Sequence, residues 1–260
     1  MTGAVELLPL PGLPLVHEGD DLATLIADGL ERAGLELRPG DVVVVAQKIV
    51  SKAEGRLVRL DAVTVGEAAA ALAAETGKDP RLVQLILDES VEIVRKRPGT
   101  PDRPGVIIVE HRCGWVHANA GIDQSNLDGE PGTGALLLPI DCDASAAALR
   151  DALGERTGVR PGVLVCDSAG RAWRVGTVGM ALGAAGVEAV QDLRGRPDLL
   201  GRTLEVTVVG RGDEIAAAAG LVMGQAGEGT PAVLVRGLPV YEGAATAAEL
   251  VRPGTEDLFR

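Results

Sequence analysis

The sequence predicts a globular chain that mixes helices and strands, either one large α/β domain or two intimately joined subdomains. Three observations carry that expectation. The 260 residues are 46% hydrophobic with a mean hydropathy of +0.20, enough apolar chain for a real core and without a low-complexity tract. Val42-Val43-Val44-Val45 is a continuous β-branched run, the pattern of a strand buried on both faces. Leu22, Ile26 and Leu30 recur every fourth residue between a capping Asp20 or Asp21 and Gly34, the pattern of an amphipathic helix. Aromatic residues are only 2%, so the core must be aliphatic.

The other elements follow in order. Ala4–Leu8 reads as an opening strand, after which Pro9, Pro11, Gly12 and Pro14 hold an irregular loop able to present backbone groups. The buried run at 42–45 delivers a polar loop with Gln47, Lys48, Ser51, Lys52, Glu54 and Gly55. Helices are expected over 65–76 and 81–90, and strands over 91–94 and 105–109. A helix over 145–153, capped by Asp143 and stopped by Gly154, precedes the strand Val163–Cys166, with Asp167 and Ser168 at its end. A strand over 203–209, a helix over 213–223, a glycine-bearing loop over 224–230 and a last strand over 232–235 complete the ordered part. Residues 1–240 then form the body, and 241–260 a weakly ordered tail or the start of a linker.

Charge and cysteine usage narrow the function. A formal net charge of −12 argues against a nucleic-acid backbone or an anionic membrane as main partner, so an anionic substrate needs a metal or clustered Lys and Arg. Three cysteines, Cys113, Cys142 and Cys166, are odd in number and lack CxxC spacing, which disfavours a disulfide framework or a structural zinc and favours a reducing cytoplasm. No basic region followed by an apolar one opens the chain, and no apolar run has membrane-spanning length.

Two stretches read as sites. His117–Asn126 places small residues, amides, a hydroxyl and a carboxylate where no core face is possible; Asp123, Ser125 and Asn126 suit a cation or a phosphate, although an Asx-rich connecting loop has the same composition. Asp167–Gly176 pairs Asp-Ser with Arg171 and Arg174, which suit phosphate or carboxylate, although a tight turn and surface charge would read alike. Lys48 and Lys52 are candidate phosphate partners beside the alternative of solvated lysines. Gly176, Gly179, Gly183 and Gly186 match neither GxGxxG nor a P-loop, and read as close helix packing or an irregular connection. His111 and His117 read as buried histidines rather than ligands or bases, and neither Cys113 nor Cys166 has an obvious base beside it. Carboxylates, amides, hydroxyls and lysines without a nucleophile suit metal-assisted phosphoryl chemistry.

The segments 12–16, 49–56, 117–126, 167–176, 223–229 and 231–237 together resemble the coenzyme F420-0:γ-glutamyl ligase family, in the family's order and over nearly the whole chain. The resemblance implies an α+β fold of mixed sheets with flanking helices, an intertwined homodimer, and GTP-dependent addition of L-glutamate to F420-0. It implies Asp123 and Asp167 as ligands of one Mg²⁺ or Mn²⁺ and Ser168 and Gln225 as ligands of a second, and leaves open whether K⁺ assists. Nucleotide contacts would fall on Leu13, Pro14, Leu15, Val16, Gln47, Lys48, Lys52, Asn126, Met223, Gly224, Gln225, Ala226, Gly227, Glu228, Gly229 and Thr230. Relatives can carry hydroxyl residues at 47 and 48, so the contact there differs in kind. Some relatives continue into a flavin-binding domain, so the chain is expected to be either a stand-alone ligase or the ligase half of a longer protein. A metal-dependent nucleotide phosphohydrolase and a non-catalytic GTP-binding regulator are the alternatives.

Overall fold

A computed structural model describes residues 3–258 except 104, 128, 129 and 131; residues 259 and 260 of the expected tail lie outside it. The elements are β1 Glu6–Pro9, α1 Leu22–Arg32, β2 Val42–Ala46, α2 Gln47–Ala53, β3 Leu57–Arg59, α3 Glu67–Thr76, α4 Pro80–Asp88, β4 Ser90–Arg97, β5 Val106–His111, β6 Val116–Ala118, β7 Gly134–Leu136, α5 Cys142–Thr157, β8 Gly162–Gly170, β9 Thr177–Ala185, β10 Gln191–Asp192, β11 Val208–Val209, α6 Arg211–Met223 and β12 Ala232–Arg236. The chain is thus a mixed α and β structure with several sheets.

The central sheet has the order β1-β12-β2-β8-β9. Only β2 and β8 run parallel; the other pairs are antiparallel. Alternation along the strands sends Val43, Val45, Val163 and Val165 to a core under α1 and α5, and Val42, Val44, Leu164 and Cys166 to a core under α6. Both faces are covered, which explains why Val42–Val45 reads as unbroken apolar chain. A second lobe packs α3 and α4 on β5 through Leu72, Val83, Ile86, Ile107 and Val109. Arg56 joins the lobes, donating to the Leu138 carbonyl at 2.8 Å and to both Glu89 oxygens at 3.1 Å.

Five expectations need correction. Residues 47–53 are a helix, not a loop, because Ile49, Val50 and Ala53 recur at helical spacing against the core. The helix expected over 145–153 spans Cys142–Thr157: Asp141 is its cap, accepting from Ala144 N–H at 2.9 Å, and it runs through Gly154 to a left-handed Gly158. Asp143 instead accepts from the Ala184 and Ala247 backbones, each at 2.8 Å. The strand expected to end before Asp167 continues to Gly170 because β9 pairs with it. Thr177–Ala185, which holds Gly179 and Gly183, is that strand rather than an irregular connection. Of residues 203–209 only Val208–Val209 form a strand; Val206 is 86% exposed, with no sheet face to pack against. Within 241–258, Ala245 and Ala247 are buried.

Candidate active site

A cavity of about 760 Å³ opens at the carboxyl ends of β2 and β8, where parallel strands commonly place ligands. Leu13–Val16, Gln47, Lys48 and Lys52, Asp123 and Asn126, Asp167 and Ser168, and Met223–Thr230 all line it. Every residue that the resemblance marks for nucleotide or metal therefore meets in one space, from five separated segments. A second cavity, about 390 Å³, lies at the opposite ends of the same strands, against Asp41, Val42 and Gly162.

Helix α2 divides its polar residues by spacing, since residues four apart share a face. Gln47 and Ser51 turn inward, 1% and 0% exposed, and the Ser51 hydroxyl donates to Gln47 Oε1 at 2.9 Å. Lys48 and Lys52 line the cavity, as Gln47 also does. Lys48 reaches Asp123 at 2.6 Å and donates to the Ser125 hydroxyl at 2.8 Å.

Asp123 is aimed by its backbone. Its N–H and C=O exchange hydrogen bonds with Leu136, at 3.0 and 2.8 Å. The preceding Asn119, Ala120 and Gly121 all have left-handed φ, 54°, 56° and 68°, which is uncommon for Ala and Asn and typical of sites where the fold enforces a shape. Burial disfavours the Asp123 carboxylate, but Lys48 and the Ser125 N–H outweigh it and hold the group below the usual carboxylate range.

Asp167 has the opposite balance. Burial, reinforced by the Asp123 charge, pushes its carboxyl up to about 6 against the Ser168 N–H, Lys48 and Gln47. The Gln47 amide nitrogen is buried and makes no hydrogen bond, although it lies close enough to favour the ionised form of Asp167. A register shift between Val165 and Cys166 leaves an extra residue, Leu182, in β9, a device that re-aims side chains beside sites. Ser168 donates to Gln225 Oε1 at 2.6 Å, which ties β8 to the loop after α6. Two neighbouring carboxylates that share one close lysine, with hydroxyl and amide oxygens beside them, are a donor set that fits hard divalent cations. Among the described residues no group of three or more His, Cys, Asp and Glu side chains gathers, so such an ion would depend on Ser168, Gln225 and ligand oxygens.

Several cavity residues escape sequence reasoning. Thr177 and Gly179 on β9 and Ala216 and Gly220 on α6 line the space, and only the β8–β9 hairpin and its packing bring them there. Gly179 is the one signal: a Cβ on it would lie 2.3 Å from the Ala216 carbonyl. Cys166 also lines the cavity, but burial pushes its thiol up to about 12, so it is no thiolate nucleophile.

His117 is a buried histidine, 6% exposed, with Nε2 unpartnered. Burial, with a smaller contribution from His111, lowers it to about 4. A folded value below the unfolded one means that protons favour the unfolded chain. The contribution of His117 to stability is therefore complete above about pH 6.5 and falls as the pH drops toward 4, by roughly 2–3 kcal/mol at pH 4.5. Urea midpoints at pH 7 and 4.5 check this: the acid loss should shrink in His117→Phe, and an equal loss in both proteins would contradict it.

Comparison with known proteins shows the family. Residues 12–237 match the family described as F420-0:γ-glutamyl ligase. The coenzyme F420:L-glutamate ligase of Methanopyrus kandleri is 46% identical, over 99% of this chain and all of that protein. That of Methanothermobacter thermautotrophicus is 45% identical over 98% of this chain and 99% of its own length, and that of Archaeoglobus fulgidus 46% identical over 98% and 96%. On a match that reaches from the loop before α1 to the end of β12, the chain belongs to the F420-0:γ-glutamyl ligase family.

Proposed function

We propose that this protein is a GTP-dependent ligase that joins L-glutamate to coenzyme F420-0 through γ-linkages by way of an acyl phosphate. The observation that carries the reading is the convergence of five separated segments on one cavity lined by Asp123, Asp167, Glu228, Lys48 and Lys52, with no activated nucleophile among the described residues that line it. With no enzyme nucleophile, the acceptor carboxylate itself attacks the γ-phosphorus of GTP and GDP departs. The glutamate amine then attacks the acyl carbon, and phosphate leaves with one former carboxylate oxygen.

The chain's residues serve that sequence by charge and shape. Asp123, Asp167, Ser168 and Gln225 would hold two Mg²⁺ or Mn²⁺ ions, which when bound offset the charge of the triphosphate and polarise its γ-phosphoryl group. Lys48 and Lys52 add positive charge on a protein of net charge −12, where a carboxylate and a triphosphate would otherwise repel. The Leu13–Val16 and Met223–Thr230 loops both line the cavity, and their apolar members would exclude water that hydrolyses the acyl phosphate. Leu199, Leu200, Val206 and Leu221 are each at least 84% exposed, and a second copy of the chain would cover them in a homodimer. No helix among the described residues is long and apolar enough to cross a membrane, and the three free cysteines suit the cytoplasm.

The test is to incubate the protein with GTP, Mn²⁺, F420-0 and glutamate. GDP is expected only when both acceptor and glutamate are present, with a product heavier by a glutamyl residue. Equal GDP release without glutamate would indicate a phosphohydrolase, and nucleotide binding without turnover a regulator.

A further inference from the structure

The β8–β9 hairpin extends the active-site cavity toward solvent. Its stem residues Asp167, Ser168, Gly170 and Thr177 line the cavity, and Gly170 pairs with Thr177 where the strands end. The turn beyond carries Arg171, Trp173, Arg174 and Val175. Trp173 is 86% exposed and has a left-handed φ of 63°, a conformation that costs a bulky side chain energy and persists where a fold holds it for use. Trp173 thus stands on one of the most solvent-exposed turns of a chain with only two tryptophans. Neither guanidinium beside it has a carboxylate partner among the described residues, whereas Arg56, Arg81, Arg156 and Arg236 are all paired.

We propose that this turn binds the head of the acceptor: the Trp173 indole stacks on a flat heteroaromatic ring system, and Arg171 and Arg174 attract the anionic linker that joins the ring to the reacting carboxylate. The inference rests on the ligase reading for the identity of the acceptor, a deazaflavin on a ribityl-phospholactyl tail. Lengths agree. Six residues separate Asp167 from Trp173, at most about 20 Å of strand. About ten bonds separate the lactyl carboxylate from the deazaflavin ring, roughly 12–15 Å when extended, with the ring itself spanning the remainder. A carboxylate reacting beside Asp167 therefore places its ring at the hairpin turn. Stacking on an exposed indole accepts any flat π-face, and the two arginines add attraction for phosphate.

Steady-state kinetics and tryptophan fluorescence on the full chain test this. Trp115 is 8% exposed, so Trp173 is the accessible emitter. Saturable quenching is expected with F420-0, and also with the deazaflavin ribitol that lacks the phospholactyl tail; Trp173→Phe, which leaves Trp115 alone, should show little with either. Trp173→Ala should raise the acceptor KM roughly tenfold to a hundredfold, with kcat and the KM for GTP and glutamate within about twofold. Trp173→Phe should recover most of that loss, and Arg171→Ala should raise the acceptor KM less for added salt to raise further. An unchanged acceptor KM in Trp173→Ala would overturn the proposal. So would an equal rise in all three KM values with a lower sedimentation mass, which marks the turn as a contact between copies. If the unaltered protein makes no glutamylated product, the ligase reading fails alone; ring binding that Trp173→Ala abolishes would still support the site, and absence of ring binding would overturn it.

Discussion

Replacing Asp167 by asparagine is expected to lower glutamylation by roughly 10²–10³-fold or more, the size of losing one preorganised electrostatic group, while making the metal-free protein more stable. Asparagine keeps the size and the oxygen that accepts from Ser168 N–H at 2.8 Å, so the change is one of charge. The folded carboxyl is raised to about 6, by burial first and by Asp123 next. A folded value above the unfolded one means that stability is greatest with the acid protonated, and it declines as the pH rises through about 4 to 6. At pH 7 the ionised group costs on the order of 1–3 kcal/mol, which asparagine relieves. Melting temperatures in EDTA should therefore be higher for Asp167→Asn, and added Mn²⁺ should raise only the unaltered protein's. Equal metal-induced shifts in both would remove Asp167 from the cation site.

The largest expected effect on folding is at Gly183. A Cβ there would lie 2.1 Å from the Cys142 carbonyl oxygen and 2.3 Å from its carbon. Those are backbone atoms at the start of α5, pinned by Asp141 at its cap and by Asp143 through the β9 and Ala247 backbones. No rotamer change relieves the overlap, so helix and strand must separate and open the core between them. Gly183→Ala should destabilise by about 3 kcal/mol or more, whereas Gly170→Ala, with nothing within 4 Å of the added carbon, should stay within about 0.5 kcal/mol. Urea midpoints compare the two, and similar values would show that α5 does not press on β9.

These glycines mark where sequence reading stops. Local pattern suffices for β2, the apolar first half of β8, β12, α1 and α6, since an unbroken β-branched run or four-residue spacing reports burial directly. It fails where a partner distant in sequence decides. Asp167 looks like a strand terminus until β9 pairs with it, and the glycines of β9 read equally as close helix packing or an irregular connection until α5 and α6 are seen to lie across them. Asp143 looks like a helix cap, yet its acceptors serve the Ala184 and Ala247 backbones while Asp141 caps. The site divides similarly: Asp123, Lys48 and Lys52 stand out by residue type, although a connecting loop and solvated lysines read alike, and Gln225 is conspicuous only through the family resemblance until Ser168 is seen to reach it. Thr177, Ala216 and Gly220 have no signal short of the fold.

An oxygen-isotope experiment tests the account most directly. With F420-0 carrying ¹⁸O in its lactyl carboxylate, glutamylation through an acyl phosphate must transfer one labelled oxygen to the released phosphate and leave the other in the amide. Mass spectrometry of the phosphate should show one ¹⁸O for each F420-0 molecule that gains its first glutamate, read under conditions where the product carries a single glutamyl residue. Phosphate free of label, released alongside product or without it, would contradict direct attack of the acceptor carboxylate on GTP in the cavity between β2, β8 and α6.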